Sequence, residues 1–282
     1  MYESYWGLKV RPFDRRADAA FYYPAENQHA ALVKLRYAFE HGSAAALAGA
    51  AGTGKTLLLD LLAGQLESQG RIFVRLAFPL LSPAEMLGYL ADELAGEESP
   101  SVNSTPPIDQ SLRRMEGSLT KLAAQNKRLV VVIDEAHAID DLRTWEALRL
   151  LMNLETANQP PPIVVLVGQT SLLQMLSRMP SLEERLSAKC LLPAFSAEET
   201  AAYIVHRLQA AGAGREIFNG SAMEAVHALG QGVPRRINRL CDLALLVGYA
   251  EERQTIATEQ IEAVAEDLTG AGTPRDQATH SM

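Results

Sequence analysis

The stretch Gly49-Ala50-Ala51-Gly52-Thr53-Gly54-Lys55-Thr56 decides the fold. It matches G-x-x-x-x-G-K-[ST] at every fixed position, the pattern of a loop that cradles phosphate. Its glycines let backbone N–H groups converge on phosphate oxygens, and a following helix adds its N-terminal dipole and unpaired donors. The expected roles are specific. Gly49, Ala50, Ala51, Gly52, Thr53 and Gly54 wrap the phosphates, Lys55 reaches the β- and γ-phosphates, and the Thr56 hydroxyl holds Mg²⁺. A chance glycine-rich turn is the competing reading, and the flanks argue against it. Residues 44–48 are a short apolar run suited to a buried strand. Residues 56–66 read as a helix that is apolar nearly all round and therefore buried.

Outward from the loop, strands alternate with helices. Residues 26–41 carry helical spacing through Ala30, Leu32, Leu35 and Phe39. Residues 71–76 read as a strand, 83–94 as a helix, and 96–107, rich in Ser, Pro and Glu, as a surface loop. A helix is expected over 108–125. Residues 129–133, Leu-Val-Val-Val-Ile, form the continuous apolar, largely β-branched run of a parallel strand covered on both faces. A helix over 145–157, a break at Pro160-Pro161-Pro162, and a buried strand over 163–167 complete an α/β pattern with a parallel sheet. After Pro193 the texture changes. Residues 196–211, 221–229, 234–250 and 258–268 all read as helices, and Ser196 with Glu199 fits a capping box. The expected organisation is an irregular, aromatic-rich arm over 1–25, an α/β nucleotide-binding domain over 26–193, an all-helical lid over 194–269 and a small, polar, disordered tail over 270–282.

Further motifs carry chemistry. Asp134 and Glu135 sit at the C-terminal edge of the run 129–133, where open α/β sheets bind ligands. Asp134 is expected to hold Mg²⁺ and Glu135 to polarise the attacking water, so that ATP is hydrolysed as well as bound. His137, nearby, reads as structural or coupling and not catalytic. Gln169 follows the strand 163–167 and Gly168. Its side chain can face a γ-phosphate, and a helix-capping turn before Ser171 is the competing reading. In Gly232-Val233-Pro234-Arg235-Arg236-Ile237-Asn238-Arg239, Pro234 suits the first helical position. Two arginines in a first turn oppose the helix dipole, and a bound anion would relieve that conflict. A solvated basic patch is the alternative. Arg185 could reach a neighbouring subunit's γ-phosphate as a trans finger. Arg178 competes for that role, and surface ion pairs compete with both.

Composition excludes other classes. The 282 residues are 48% hydrophobic and 21% charged, an ordinary globular balance. A net charge of −8 argues against a general nucleic-acid or anionic-membrane coat. Cys190 and Cys241 lack metal-ligand spacing and read as reduced core thiols. The N-terminus lacks the charged-then-apolar signature of a signal peptide, and no uncharged apolar run is long enough to span a bilayer.

An α/β nucleotide domain followed by helices with a Gly-x-Pro-Arg start resembles an AAA+ ATPase. The details point further. Tyr5-Trp6-Gly7-Leu8 with Pro12-Phe13, residues 129–137, 150–156 (Leu-Leu-Met-Asn-Leu-Glu-Thr), 164–169 and 232–242 closely resemble the ATPase domain of the general secretion pathway protein A (ExeA-like) family. The resemblance runs from near Met1 to about Leu268. It implies Walker A at Lys55 and Thr56, Walker B at Asp134 and Glu135, sensor 1 at Gln169, the arginine finger at Arg185 and sensor 2 at Arg235. It also implies that the arm with Pro12-Phe13 helps close over the adenine.

Typical secretion members continue into a transmembrane helix and a peptidoglycan-binding region, whereas this sequence ends in a polar tail. The expectation is therefore a cytoplasmic form without direct membrane insertion. Three functions compete. One is an oligomeric ATPase motor or switch, a ring or filament, for a secretion, pilus or envelope assembly. The second is a DNA-bound switch like the TnsC/TniB/IstB transposition regulators, motivated by Arg235, Arg236 and Arg239. The third is a nucleotide-binding scaffold without turnover, which the Asp134-Glu135 pair opposes.

Overall fold

The computed structural model describes residues 1–14, 19–41, 44–77, 80–96, 106–155 and 160–269. The expected tail and most of the expected loop 96–107 lie outside them. In chain order the elements begin with α1 (Glu3–Trp6), α2 (Glu26–Glu40), β1 (Ala44–Gly49), α3 (Lys55–Glu67) and β2 (Arg71–Leu76). Then come α4 (Pro83–Ala95), α5 (Ile108–Ala124), β3 (Arg128–Ile133), α6 (Leu142–Leu151) and β4 (Ile163–Gly168). The chain continues with α7 (Ser171–Leu176), α8 (Pro180–Glu183) and β5 (Leu186–Leu192). It ends in α9 (Ala197–Ala210), α10 (Gly220–Gly230), α11 (Pro234–Ala250) and α12 (Thr258–Thr269). Two compact units result, one of residues 26–193 and one of residues 1–25 with 194–282.

The first unit is a five-stranded sheet in the order β2-β3-β4-β1-β5, parallel at every pairing. The central strands β1 and β4 are buried at every position, and β3 at all but its first. Uninterrupted apolar runs are what a strand covered on both faces requires. Because every pairing is parallel, β1 and β3 end at the same edge with β4 between them, and the chain crosses past β1 once, from β4 to β5. Ligands of such open sheets bind at the C-terminal ends of the strands.

Several local expectations are corrected. β5 is a strand that the sequence reading lacks. At the sheet edge, Ala188, Cys190 and Leu192 point inward while Ser187, Lys189 and Leu191 are exposed, so no continuous apolar run announces it. Helix α3 is not buried all round: Leu58, Leu59, Leu62 and Leu66 form its inner face, and Thr56, Asp60 and Gln65 are exposed. Helix α6 starts earlier than expected, at Leu142, because the Asp141 carboxylate caps it by accepting from the Arg143 N–H at 2.9 Å.

The second unit is built from α9 to α12 and the N-terminal segment. Ser196 and Glu199 form the expected reciprocal capping box of α9. Residues 1–25, read from sequence as an irregular arm, supply Tyr2, Trp6, Leu8, Phe13 and Ala25 to this unit's core. The Trp6 indole donates to the Leu245 carbonyl at 3.0 Å. Phe13 is 3% exposed and meets Phe218 edge-on at 6.3 Å. Arg207, 5% exposed, donates to the carbonyls of Pro12 at 2.6 Å and Asp14 at 3.0 Å, and its guanidinium lies 4.8 Å from the Phe21 ring centre. Cys190 and Cys241 are buried free thiols, as expected.

Candidate nucleotide and metal site

The loop after β1 has the backbone that a phosphate cradle needs. Gly54 stands at φ 96°, a region L side chains avoid, and its backbone directs the chain into α3. No side chain caps the first turn of α3, which leaves its N–H groups available to an anion. Gly49 is required for a different reason: a Cβ there would lie 2.7 Å from the Leu192 carbonyl oxygen and 2.8 Å from Thr53 Oγ1. Thr53 is buried and donates to the Ala50 carbonyl at 3.0 Å, which fixes the loop's curl. Lys55, 8% exposed, arches back so that Nζ donates to the Gly49 and Ala50 carbonyls at 2.8 and 3.0 Å.

Asp134 and Glu135 follow β3 at the same edge. Glu135 adopts φ 51°, ψ 32° and is exposed. A left-handed non-glycine residue is uncommon, and such strain collects at functional sites. The turn is held by the Glu135 N–H donating to Asp134 Oδ1 at 2.9 Å. The other carboxylate oxygen of Asp134 pairs with the Arg75 guanidinium, which also donates to Thr56 Oγ1 at 3.2 Å. His137 Nδ1 lies 3.3 Å from Glu135 Oε2 and 3.3 Å from the Gln169 backbone N–H. Thr56, Arg75, Asp134, Glu135, His137 and Gln169 thus form one series of contacts drawn from α3, β2 and the ends of β3 and β4.

The hydroxyl of Thr56 and the carboxylate of Asp134 are hard oxygen donors, the kind Mg²⁺ takes. A cation, the Arg75 guanidinium, already sits against both. That donor set fits the metal. Among the described residues no group of three or more His, Cys, Asp or Glu side chains could hold an ion by itself, which suits Mg²⁺ carried largely by a nucleotide's phosphates.

The remaining predicted residues lie outside this series. Arg185 is half-buried and donates to the Asn153 side chain, and its Nε is buried without a partner. Arg178 is exposed. Arg235 is exposed in the first turn of α11, in the other unit. Gln169 is exposed, and its side chain caps nothing; the α7 N-cap position belongs to Thr170. Sequence reasoning missed Arg75. The available signal was a basic residue near the C-terminal end of a strand, a break in local pattern of the kind functional sites tolerate.

Residues 38–176 match the AAA domain family. General secretion pathway protein A of Aeromonas hydrophila is 34% identical over 99% of the chain. The chain is an AAA+ ATPase, similar over nearly its whole length to that protein. It spans 50% of that relative's length. Among solved structures, the Aeropyrum pernix ORC1 protein in complex with DNA superposes with a TM-score of 0.68 at 16% identity, over 93% of this chain and 69% of that one. The Thermotoga maritima RuvB Holliday junction branch migration motor gives 0.57 at 20% identity, over 91% and 73%. At these identities the two structures share the fold of this AAA+ ATPase. Among the described residues no helix is long and apolar enough to cross a membrane.

Proposed function

We propose that this AAA+ ATPase is an ATP-driven oligomeric switch or motor on the cytoplasmic side of a secretion, pilus or envelope assembly. The likeness to general secretion pathway protein A across nearly the whole chain supports the machinery. For the chemistry, the carrying observation is the strained Asp134-Glu135 turn at the sheet edge beside the Gly49–Thr56 loop. In this reading the loop amides and Lys55 bind the phosphates, and Thr56 and Asp134 hold Mg²⁺. Glu135 orients and polarises the attacking water. The metal, when bound, neutralises charge on the phosphate oxygens. Lys55 turns from the Gly49 and Ala50 carbonyls toward that charge. Gln169 and the exposed Arg235 read the phosphate state. Arg185 acts in trans from a neighbouring subunit, with Arg178 as its rival. If Arg185 acts, it must exchange Asn153 for a phosphate.

Phosphate release by Glu135→Gln tests the chemistry: a large drop with ATP binding retained is expected, and unchanged release would leave a scaffold without turnover. Particle mass with and without a non-hydrolysable ATP analogue tests the assembly. Equal masses would remove the basis for any trans arginine. A DNA-bound switch is the second reading, favoured by exposed Arg235, Arg236 and Arg239 on α11. It requires duplex binding that depends on ATP and weakens steeply with salt; no binding at low salt excludes it.

A further inference from the structure

Arg75 is the fifth residue of β2, and the parallel register sets it beside Val132 on β3, two residues before Asp134. Strand geometry therefore carries its long side chain to the sheet edge where Asp134 follows β3. Its guanidinium has three partners there. It ion-pairs with Asp134, donates to Thr56 Oγ1 at 3.2 Å, and lies 3.5 Å from Asp60 Oδ1. Asp60 is four residues beyond Thr56 on α3, hence one turn along the same face. The Asp60 side chain is 48% exposed, against 15% for Asp134. A guanidinium does not give up its proton near neutral pH. Its positive charge is therefore permanent and stands against both oxygens that would take a divalent cation. Two like charges cannot share the Asp134 carboxylate without cost, and Asp60 offers the guanidinium a second carboxylate already within reach.

We propose that Arg75 is an exchangeable cation of the metal site: it holds Thr56 and Asp134 in place, and moves from Asp134 to Asp60 when the divalent ion arrives with nucleotide. The inference rests on the reading of Thr56 and Asp134 as the metal-holding pair. Arg75 is then a positioning residue that sets the metal affinity, and Asp60 strengthens metal binding only by receiving Arg75.

The test is Mn²⁺ affinity of the full chain with a non-hydrolysable ATP analogue, read by electron paramagnetic resonance. Arg75→Gln is expected to tighten Mn²⁺ by about two- to fivefold, the upper range of a surface ion pair. Asp60→Asn is expected to weaken Mn²⁺ by a similar factor in the Arg75 protein and to have no effect in the Arg75→Gln protein. Arg75→Lys keeps the charge and should bind Mn²⁺ as the unmodified chain does; melting curves confirm that each variant is folded. Unchanged or weaker Mn²⁺ binding by Arg75→Gln overturns the proposal, as does an Asp60→Asn effect of equal size in both backgrounds. Asp134→Asn separates the two layers. If it leaves Mn²⁺ binding intact, the metal reading itself fails. If it abolishes binding while Arg75→Gln does not tighten it, only the Arg75 exchange fails.

Discussion

The two units each contain an arginine in a polar contact network, and the networks are opposites. In the α/β unit, Arg75 is 35% exposed and stands among two carboxylates and a hydroxyl. In the helical unit, Arg207 is 5% exposed, and it stands against two carbonyls, a tyrosine hydroxyl and two aromatic faces. The first network has alternative acceptors within reach and faces solvent, so rearranging it costs little. The second satisfies a buried charge with fixed dipoles, and any rearrangement strands groups away from water. On the proposed function, the exposed network around Arg75 serves ligand chemistry and the buried network around Arg207 serves structural cohesion. Substitutions near the loop should change turnover with little effect on folding, and substitutions around Arg207 should do the reverse.

The largest effect expected from breaking that segregation is at Lys55. Lys55→Ala should lower phosphate release by about a thousandfold, on the scale of losing a preorganised charge stabiliser, and leave the melting temperature within a few degrees. Parallel loss of turnover and stability would show that the loop is structural as well as chemical. Next comes Gly232→Ala. Gly232 has φ 66°, and a Cβ there would lie 2.1 Å from the Phe195 carbonyl oxygen. Backbone would have to move, so a destabilisation of about 4 kcal/mol is expected, at the diagnostic end of single substitutions. The protein's two tryptophans separate the units, Trp6 reporting on the helical unit and Trp145 on the α/β unit. In urea, fluorescence from a Trp145→Phe background should register the loss at Gly232. If the Trp6→Phe background reports an equal shift, the two units unfold together.

Arg207→Met comes third. It removes the donors to the Pro12 and Asp14 carbonyls. About 3 kcal/mol is expected from losing hydrogen bonds made by a charged group. The readout is the Trp6 transition, with phosphate release at low urea little changed. A wild-type transition would mean that the arm is held without Arg207.

What the sequence disclosed follows the same physical line. The loop, β1, β3 and β4 were legible because a strand covered on both faces must be a continuous apolar run, and the phosphate motif is local. β5 was not legible, because an edge strand needs only alternate buried residues, and Lys189 between Ala188 and Cys190 hides the pattern. Lys55 and Thr56 could be named because they close the local phosphate motif, and Asp134, Glu135 and Gln169 because they directly follow strands. Arg75 could not, since its partners Thr56 and Asp134 are 19 and 59 residues away and only strand register unites them. Arg207 reads locally as an ordinary helix arginine. Its burial depends on residues 12–14 returning across α9, a contact 195 residues apart in the chain.

The smallest expected effect uses one cysteine from each unit. Burial raises the thiol pKa of Cys190 on β5, where the Lys34 charge partly offsets it. Burial raises that of Cys241 on α11 further, and the neighbouring Asp242 carboxylate adds to the rise. A raised folded-state pKa means that the native protein keeps a proton the unfolded chain releases. The stability from each thiol is therefore complete below the unfolded thiol's pKa of about 8.5, and declines as pH rises above it toward the folded value. Urea titrations from pH 8 to 10 should show stability falling. Cys241→Ala should flatten the slope of the Trp6 transition, and Cys190→Ala that of the Trp145 transition. At pH 8 a thiol-reactive dye should modify neither cysteine at the rate of the unfolded chain. Rapid native labelling of Cys190 alone would place the weaker packing at the sheet edge beside α2, and would sharpen the contrast between an α/β unit built to rearrange and a helical unit built to hold.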